Sequence, residues 1–472
     1  MQSPLRGGTD VRTRPGTIQD AASALAPLAL AIAVVLVAMF ALGCGGGAAP
    51  SSTTATTAGV TTTEEPTTTT EADVPTTEQV DANTIRIGAP LPLSGVYAGD
   101  GQDMQTGLQM AVDEINDAGG LLGRPVELRV YDIEDLSSDS LDAAKAYLLD
   151  QMKCDVIIEG YGGYGPDYEA FGAGSDVPFL HASGSSAAAA LVKSDPGKYG
   201  NMFQVSPVEA DYGTRAFQAA VQFEDTYVYP NKKVAIFYGD QDWDQKYAAA
   251  AAAAAEKAGW QVVLNEQVSY DTTDWSPLLA KIQTEQPAAI LTSFLSVDGM
   301  ASFVEKFMEK PTPSLLDISY LVTLPEMQDA LGDKLKGLTG YVSAYVPPST
   351  EGDAWKQRYK DAYGEDVPLT SPPSAYDSVM LWAAAAKAVG DSTKYADIAE
   401  YIKNNPYKGL LGTYDFNNPE QMVKAGPAFP IAYAQYKGDG KLAFSGVDAF
   451  ALPGYIQPAW LKIGETTTTA GQ

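Results

Sequence analysis

The stretch that most constrains this chain runs from residue 84 to residue 132, TIRIGAPLPLSGVYAGDGQDMQTGLQMAVDEINDAGGLLGRPVELRVYD. Ile85, Ile87 and Ala89 alternate with other residues and predict a strand, which Pro, Ser and Gly then break. Met104, Leu108, Ala111, Val112 and Ile115 recur at helical spacing, which predicts a helix over 104–117. Gly119-Gly120 stops that helix, and Val126, Leu128 and Val130 alternate as the next strand. The unit is βαβ, with a long first loop. Ligands of open α/β sheets bind at loops leaving the carboxyl ends of strands. Residues 94–103 are therefore expected to form one wall of a small-molecule site.

The same alternation continues. Helix is expected over 141–152, strand over 155–158, the loop GYGGYGP over 160–166, strand over 177–180 and the loop HASGSS over 181–186. After an extended stretch at 201–207 a second block begins. It has helices at 211–224, 245–258 and 275–284, and strands at 234–238, 261–268, 288–291 and 315–319. Residues 338–347 read as extended, and helices return at 353–363, 376–389 and 395–404, followed by strands at 430–436 and 442–444. Helices returning after a complete second block imply that the chain re-enters its first lobe. The expected fold class is α/β, two Rossmann-like lobes with a ligand cleft between them. Lobe 1 comprises 84–205 plus 343–425, and lobe 2 comprises 206–342 plus 426–463. The tail 464–472 reads as unstructured.

A chain of 472 residues is too long for one core, which agrees with two lobes. A net charge of −28 argues against nucleic-acid binding, which needs a basic face. Arg6, Arg12 and Arg14 precede an apolar run over 21–42 that ends at Gly43-Cys44, the pattern of an export segment. The run is also long enough to span a bilayer if retained. Either way the rest of the chain lies outside the cytoplasm. Residues 44–83 are Gly- and Thr-rich and cannot bury enough surface to fold. They form a tether reaching on the order of 35 Å if flexible. Of the two cysteines, Cys44 belongs to the export segment, and Cys154 reads as a buried thiol.

Enzymatic machinery is missing from the sequence. The chain has one histidine, His181, and no HExxH or CxxC. Asp240, Asp242 and Asp244 alternate, but a calcium loop would need Gly at 245 and Glu at 251, where Gln245 and Ala251 stand. Gly160, Gly162 and Gly165 match G-x-G-x-x-G. That unit is not first in its sheet, and Pro166 follows at once, so no dinucleotide is expected. The reading is a binding protein without catalytic residues, metal or cofactor.

Several stretches carry a family resemblance: IRIGAPLPLSG (85–95), GLQMAVDEINDAGGLLGRPVELRVYD (107–132), DVPFLHASGSS (176–186), DTTDWSPLLAKI (271–282), YGEDVP (363–368) and AYDSVMLWAAAA (375–386). With these the chain resembles the type I extracytoplasmic solute-binding proteins of ABC importers, the leucine/isoleucine/valine-binding branch. The resemblance covers residues 84–463. It implies lobes joined by three crossovers, closing on ligand like a hinge, and delivery of a small polar solute, such as a branched-chain or other amino acid, to an ABC permease. An extracellular ligand-sensing domain is the alternative. The box Ala41-Leu42-Gly43-Cys44 resembles a bacterial lipoprotein signal, which implies lipidation of Cys44 and a membrane anchor; the usual order has Leu one place earlier.

Candidate ligand contacts follow from the resemblance and from chemistry together. Loop amides bind a carboxylate without a full charge, and Ser183, Gly184 and Ser185 follow a strand in the required way. The alternative for these serines is helix capping. In the opening loop, Ser94 and Tyr97 belong to the ligand wall, where the family often places an aromatic ring. Tyr161 and Tyr164 lie in the glycine loop. Tyr164 stands where the family usually has a small hydroxyl residue, a departure that reshapes the pocket. Trp243 and Phe294 are the aromatic candidates of lobe 2. A desolvated ammonium needs an acid, and Asp317 is the candidate, with Asp240 and Asp242 as alternatives. If no acid faces the cleft, an amide, urea-like molecule or organic acid becomes the expected ligand.

Overall fold

The computed structural model describes residues 80–134, 136–162, 165–173, 175–222, 227–293, 295–445, 455–458, 460–461 and 464–465. The export segment, Cys44, the tether up to residue 79, Tyr164, Phe294 and residues 466–472 of the expected tail lie outside the described residues, whereas Gly464–Glu465, expected to be unstructured, form a short strand paired with Tyr227–Val228.

The first lobe opens with β1 (Ile85–Leu91), α1 (Ala98–Asp117), β2 (Val126–Asp132), α2 (Ser138–Lys145), β3 (Val156–Glu159) and β4 (Phe179–His181). It continues through α3 (Ser186–Ser194) and α4 (Pro196–Tyr199) to β5 (Met202–Gln204). Its parallel sheet has the order β2-β1-β3-β4-β5. All seven residues of β1 are buried, as a central strand covered on both faces requires. Even Arg86 is buried; its amide donates to Asp155 Oδ2 at 2.9 Å and its guanidinium to the Asp81 carbonyl at 2.7 Å. Cys154 is a buried thiol, pushed up to about 12 by burial.

The second lobe runs α5 (Glu209–Ala220), β6 (Tyr227–Val228), β7 (Lys233–Tyr238), α6 (Asp242–Lys257), β8 (Gln261–Gln267) and α7 (Ser276–Glu285). It goes on with β9 (Ala289–Thr292), α8 (Val297–Glu309), β10 (Leu315–Asp317), α9 (Pro325–Leu331) and β11 (Thr339–Val342). The chain then returns to the first lobe with α10 (Thr350–Tyr363), α11 (Pro372–Val389), α12 (Tyr395–Asn404) and the hairpin β12 (Tyr407–Lys408) and β13 (Thr413–Tyr414). It crosses back for β14 (Ala432–Gly438) and β15 (Lys441–Phe444). The second sheet has the order β15-β14-β11-β10-β9-β7-β8, parallel except for β14 and β15.

The return is visible in the packing. Trp355, Tyr359, Val379 and Trp382 share a core with Ile85, Ile87, Leu108 and Val112. Ala432 and Ala434 share the other with Phe237, Phe303 and Leu316. The chain therefore crosses between lobes three times, after β5, after β11 and before β14. Strand order reverses between β1 and β3 in one sheet and between β7 and β9 in the other. These are the switch points where doubly wound sheets open a crevice.

Several helices begin earlier than their apolar periodicity predicts, α1 and α6 among them. α1 starts at Ala98 rather than 104, and α6 at Asp242 rather than 245. Acidic residues in the first turn, Asp100 in α1 and Asp242 and Asp244 in α6, favour the positive helix end and extend both helices into what reads as loop. Gly107 lets α1 meet the start of α11 backbone to backbone. A Cβ there would sit 2.2 Å from the Pro372 carbonyl oxygen.

Candidate functional site

Loops and helix starts from both lobes enclose a cavity of about 400 Å³, within the usual range for small-molecule sites. The wall expected as a loop over 94–103 is a helix face. Tyr97, Asp100, Met104 and Leu108, spaced three or four residues apart, all line the cavity. Ser94 is not part of the wall; its amide donates to Asp132 Oδ1 at 3.3 Å, outside the lining.

From the carboxyl end of β3 come Glu159, Gly160, Tyr161 and Gly162. The Tyr161 hydroxyl donates to Asp100 Oδ2 at 2.5 Å, and its ring meets Tyr97 edge-on, with centroids 6.1 Å apart. Burial holds the Asp100 carboxyl above its ordinary value, and the Tyr161 hydrogen bond offsets part of that. Glu159 is 2% exposed, and burial, then the neighbouring Asp167 carboxyl, hold it well above the usual range. Burial likewise pushes Asp167 to about 6.

The loop after β4 divides. Ser183 and Gly184 line the cavity, and neither amide donates to a described residue. Ser185 is buried and lies outside the lining. Its Oγ accepts from the Ala188 amide at 3.3 Å as the cap of α3, and its own amide donates to Gln204 Oε1 at 2.9 Å. The first turn of α3 receives a carboxylate from within the chain. Glu209 accepts from the Ser186 amide at 2.8 Å and the Ser186 hydroxyl at 2.6 Å, and Lys246 lies 3.3 Å away. Below this loop His181 is buried between the rings of Tyr168 and Phe179, with Nδ1 3.0 Å from Ser183 Oγ. Burial depresses its imidazole to about 3.

Lobe 2 contributes Tyr212, Gln241, Trp243, Asp244, Tyr320 and Tyr341. Trp243 stands in the first turn of α6, 5.9 Å from Tyr212, which is 4.9 Å from Tyr341. The Trp243 indole nitrogen would lie 3.4 Å from a Cβ on Gly184, so the two lobes approach closely there. Asp244 accepts from the Ser293 hydroxyl at 2.7 Å. Asp317 is fully buried and does not line the cavity; its Oδ1 accepts from the Ser319 amide at 3.0 Å. A short 3-10 turn over Ser319–Thr323 follows, with Ser319 at a positive φ of 61°, and Tyr320 lines the wall instead. Asp240 and Asp242 are exposed. The crossovers add Ser206 and Ser343, and the start of α11 adds Thr370, Ser371, Ser374 and Ser378.

The structure thus brings Tyr97, Tyr161, Ser183, Gly184 and Trp243 to one cavity, and leaves Ser94, Ser185 and Asp317 out of its lining. Sequence reasoning covered Asp100 only as part of the 94–103 wall, and missed Glu159, Asp244, Tyr212, Tyr320 and Tyr341. A signal existed for Glu159, the charged last residue of an apolar strand, and for Asp100, one turn after Tyr97.

A fold of two doubly wound lobes with a cavity between their switch points defines a bilobal solute-binding protein. The periplasmic binding protein family model matches residues 84–441, and the chain belongs to that family. It is similar to the Leu/Ile/Val-binding protein homolog 1 of Brucella suis, 22% identical over 372 residues, spanning 76% of this chain and 92% of the relative. A crystal structure of a candidate branched-chain amino acid ABC transporter protein from Silicibacter pomeroyi superposes with a TM-score of 0.75 at 29% identity, covering 80% of this chain and all of that one. A solute-binding protein of an ABC transporter from R. palustris, in complex with benzoate, superposes with a TM-score of 0.61 at 18% identity, covering 79% and 99%. Family and fold are those of solute-binding proteins rather than enzymes, and the family is extracytoplasmic. Among the described residues no helix is long and apolar enough to cross a membrane.

Proposed function

We propose that this chain captures a small polar solute of the amino-acid class outside the cytoplasmic membrane and presents it to an ABC permease. The carrying observation is the cavity of about 400 Å³ lined by both lobes at their switch points. A solute bridging Tyr97, Tyr161 and Ser183 on one side and Tyr212 and Trp243 on the other stabilises the closed arrangement of the lobes. That closed surface is what a permease recognises. Lipidation of Cys44, with the Thr-rich tether, holds the protein beside its partner. The aromatic walls and the benzoate-bound relative support a second reading, an aromatic carboxylate.

A thermal-shift screen of amino acids, amides and carboxylates tests the capture. A solute at 100 times its Kd adds about 2.7 kcal/mol to stability. Trp243→Ala and Ser183→Ala each weaken the best hit; unchanged affinity in both places the site elsewhere. Metabolic labelling with palmitate tests the anchor, with label expected on the native chain and lost in Cys44→Ala. Label that persists in the variant refutes it.

A further inference from the structure

The charges around the cavity are one-sided. Three carboxyl groups line it, from Asp100, Glu159 and Asp244, and among the described residues no lysine or arginine does. The helix ends that would ordinarily receive an anion are taken or disabled. α3 holds Glu209. α1 and α6 carry their own acids in the first turn. α11 opens with Pro372-Pro373, so its first two positions have no N–H to offer. Ser183 and Gly184 supply two amides, enough for one carboxylate, against three carboxyl groups in the lining.

Glu159 is the sharpest sign. It is 2% exposed and lines the cavity at the carboxyl end of β3. Neither of its oxygens has a hydrogen-bond donor among the described residues. The polar group it meets is a second carboxyl, Asp167, close enough to share a proton. Two carboxyls buried together, with no cation beside them among the described residues, are a costly arrangement for an empty pocket. The arrangement becomes favourable when a cation arrives. Aromatic rings line the space from both lobes, Tyr97 and Tyr161 from the first and Trp243 from the second, and suit a cation as well as an aliphatic chain.

We infer that the cavity selects solutes of net positive charge, an amine or a guanidine, with the cationic group held by Glu159 and Asp100. The inference rests on the solute-capture reading and narrows it. Zwitterions with an uncharged side chain and plain carboxylates are the weaker ligands. The amino-acid class is thereby limited to members with a basic side chain, together with amines lacking a carboxylate.

Isothermal titration calorimetry of the full chain with agmatine, L-arginine, L-leucine and benzoate, at equal ionic strength, tests this. Agmatine or arginine is expected to bind at least tenfold tighter than leucine and benzoate. Glu159→Gln is expected to weaken the amine at least tenfold, and Asp100→Asn to do the same should the first variant fold poorly. Leucine or benzoate binding tighter than both amines overturns the charge inference and leaves solute capture standing. Amine binding unchanged in both variants overturns the inference too, as does silence from all four probes. Only failure of the wider solute screen removes the capture reading itself.

Discussion

His181 is the chain's one histidine, so any imidazole titration can be assigned without ambiguity. It is 1% exposed and its imidazole is depressed to about 3, because burial disfavours the charged ring. Glu159, its register partner on β3, is itself held toward the neutral acid and supplies no compensating charge. In the unfolded chain the ring titrates near its ordinary value of about 6.5. Between those two values the unfolded state binds the extra proton, so stability rises with pH across the window. The contribution is complete above about pH 7 and is lost as pH falls through 6.5 toward 3. The loss is about 2 kcal/mol at pH 5 and about 3 kcal/mol at pH 4. That is a large share of the 5–15 kcal/mol typical of a folded protein. Urea unfolding of the native chain and of His181→Gln, from pH 8 to pH 4, isolates the effect. The buried carboxyls have raised values and act in the opposite direction, but they cancel in the difference between the two proteins. A constant offset between the curves reports lost packing against Tyr168 and Phe179. The diagnostic is a gap that closes by about 2 kcal/mol on going from pH 8 to pH 5. Proton NMR of the ring should show no titration between pH 5.5 and 8. Parallel stability curves, or a ring titrating near 6.5, refute the reasoning.

Three further outcomes are expected. Glu209→Ala removes the carboxylate that caps α3 and leaves the half-buried Ser186 amide and hydroxyl without it, while Lys246 keeps Asp242 at 2.6 Å, and should cost about 1–3 kcal/mol by urea unfolding; a loss under about 0.5 kcal/mol, on the order of a surface substitution, would show that the cap contributes little. Gly107→Ala forces α1 away from α11 and should cost about 1–3 kcal/mol, and it should also weaken solute binding, because both helix starts line the cavity. Asp377→Ala strips three hydrogen bonds, from the Leu410 and Leu411 amides and the Tyr414 hydroxyl, and should cost about 2–4 kcal/mol. Faster amide exchange around β12 and β13 should accompany that loss, and an unchanged exchange pattern would count against Asp377 as the anchor.

The two-lobe organisation was legible because it rests on local signals. Alternating apolar residues at 85, 87 and 89, and helical spacing at 104, 108, 111, 112 and 115, survive in the structure as β1 and α1. Helix starts were less legible, since Asp100, Asp242 and Asp244 look like loop residues until the helix dipole is considered. Tyr161, Ser183 and Gly184 could be nominated because each follows a strand's carboxyl end at short distance, and Tyr97 and Trp243 because the family resemblance implies aromatic rings there. Asp317 satisfies the same rule and yet stays out of the lining, because the turn through Ser319 covers it. Position after a strand nominates a residue; the path of the next few residues decides whether it reaches the wall.

Ser185 shows where local reasoning reverses. A serine before a helix, after a glycine, is a fair candidate for an anion site, since the helix end is positive. What decides the matter is Glu209, more than twenty residues later and on the first helix of the other lobe. Its carboxylate takes the Ser186 amide and hydroxyl at the positive end of α3, and the Glu209 amide donates to the Gly184 carbonyl at 3.0 Å. The crossover after β5 is thereby tied to the ligand loop by the charge that removes an anion site from it. One residue secures the first crossover and, on the charge inference above, also biases the cavity against carboxylates. The two effects are separable. Glu209→Gln keeps hydrogen-bonding capacity and removes the charge, so it should hold most of the stability lost in Glu209→Ala. It should also improve the binding of L-leucine or benzoate relative to agmatine. If Glu209→Gln shifts no affinity ratio, the helix end does not take part in selecting charge, and the selectivity must come from Glu159 and Asp100 alone.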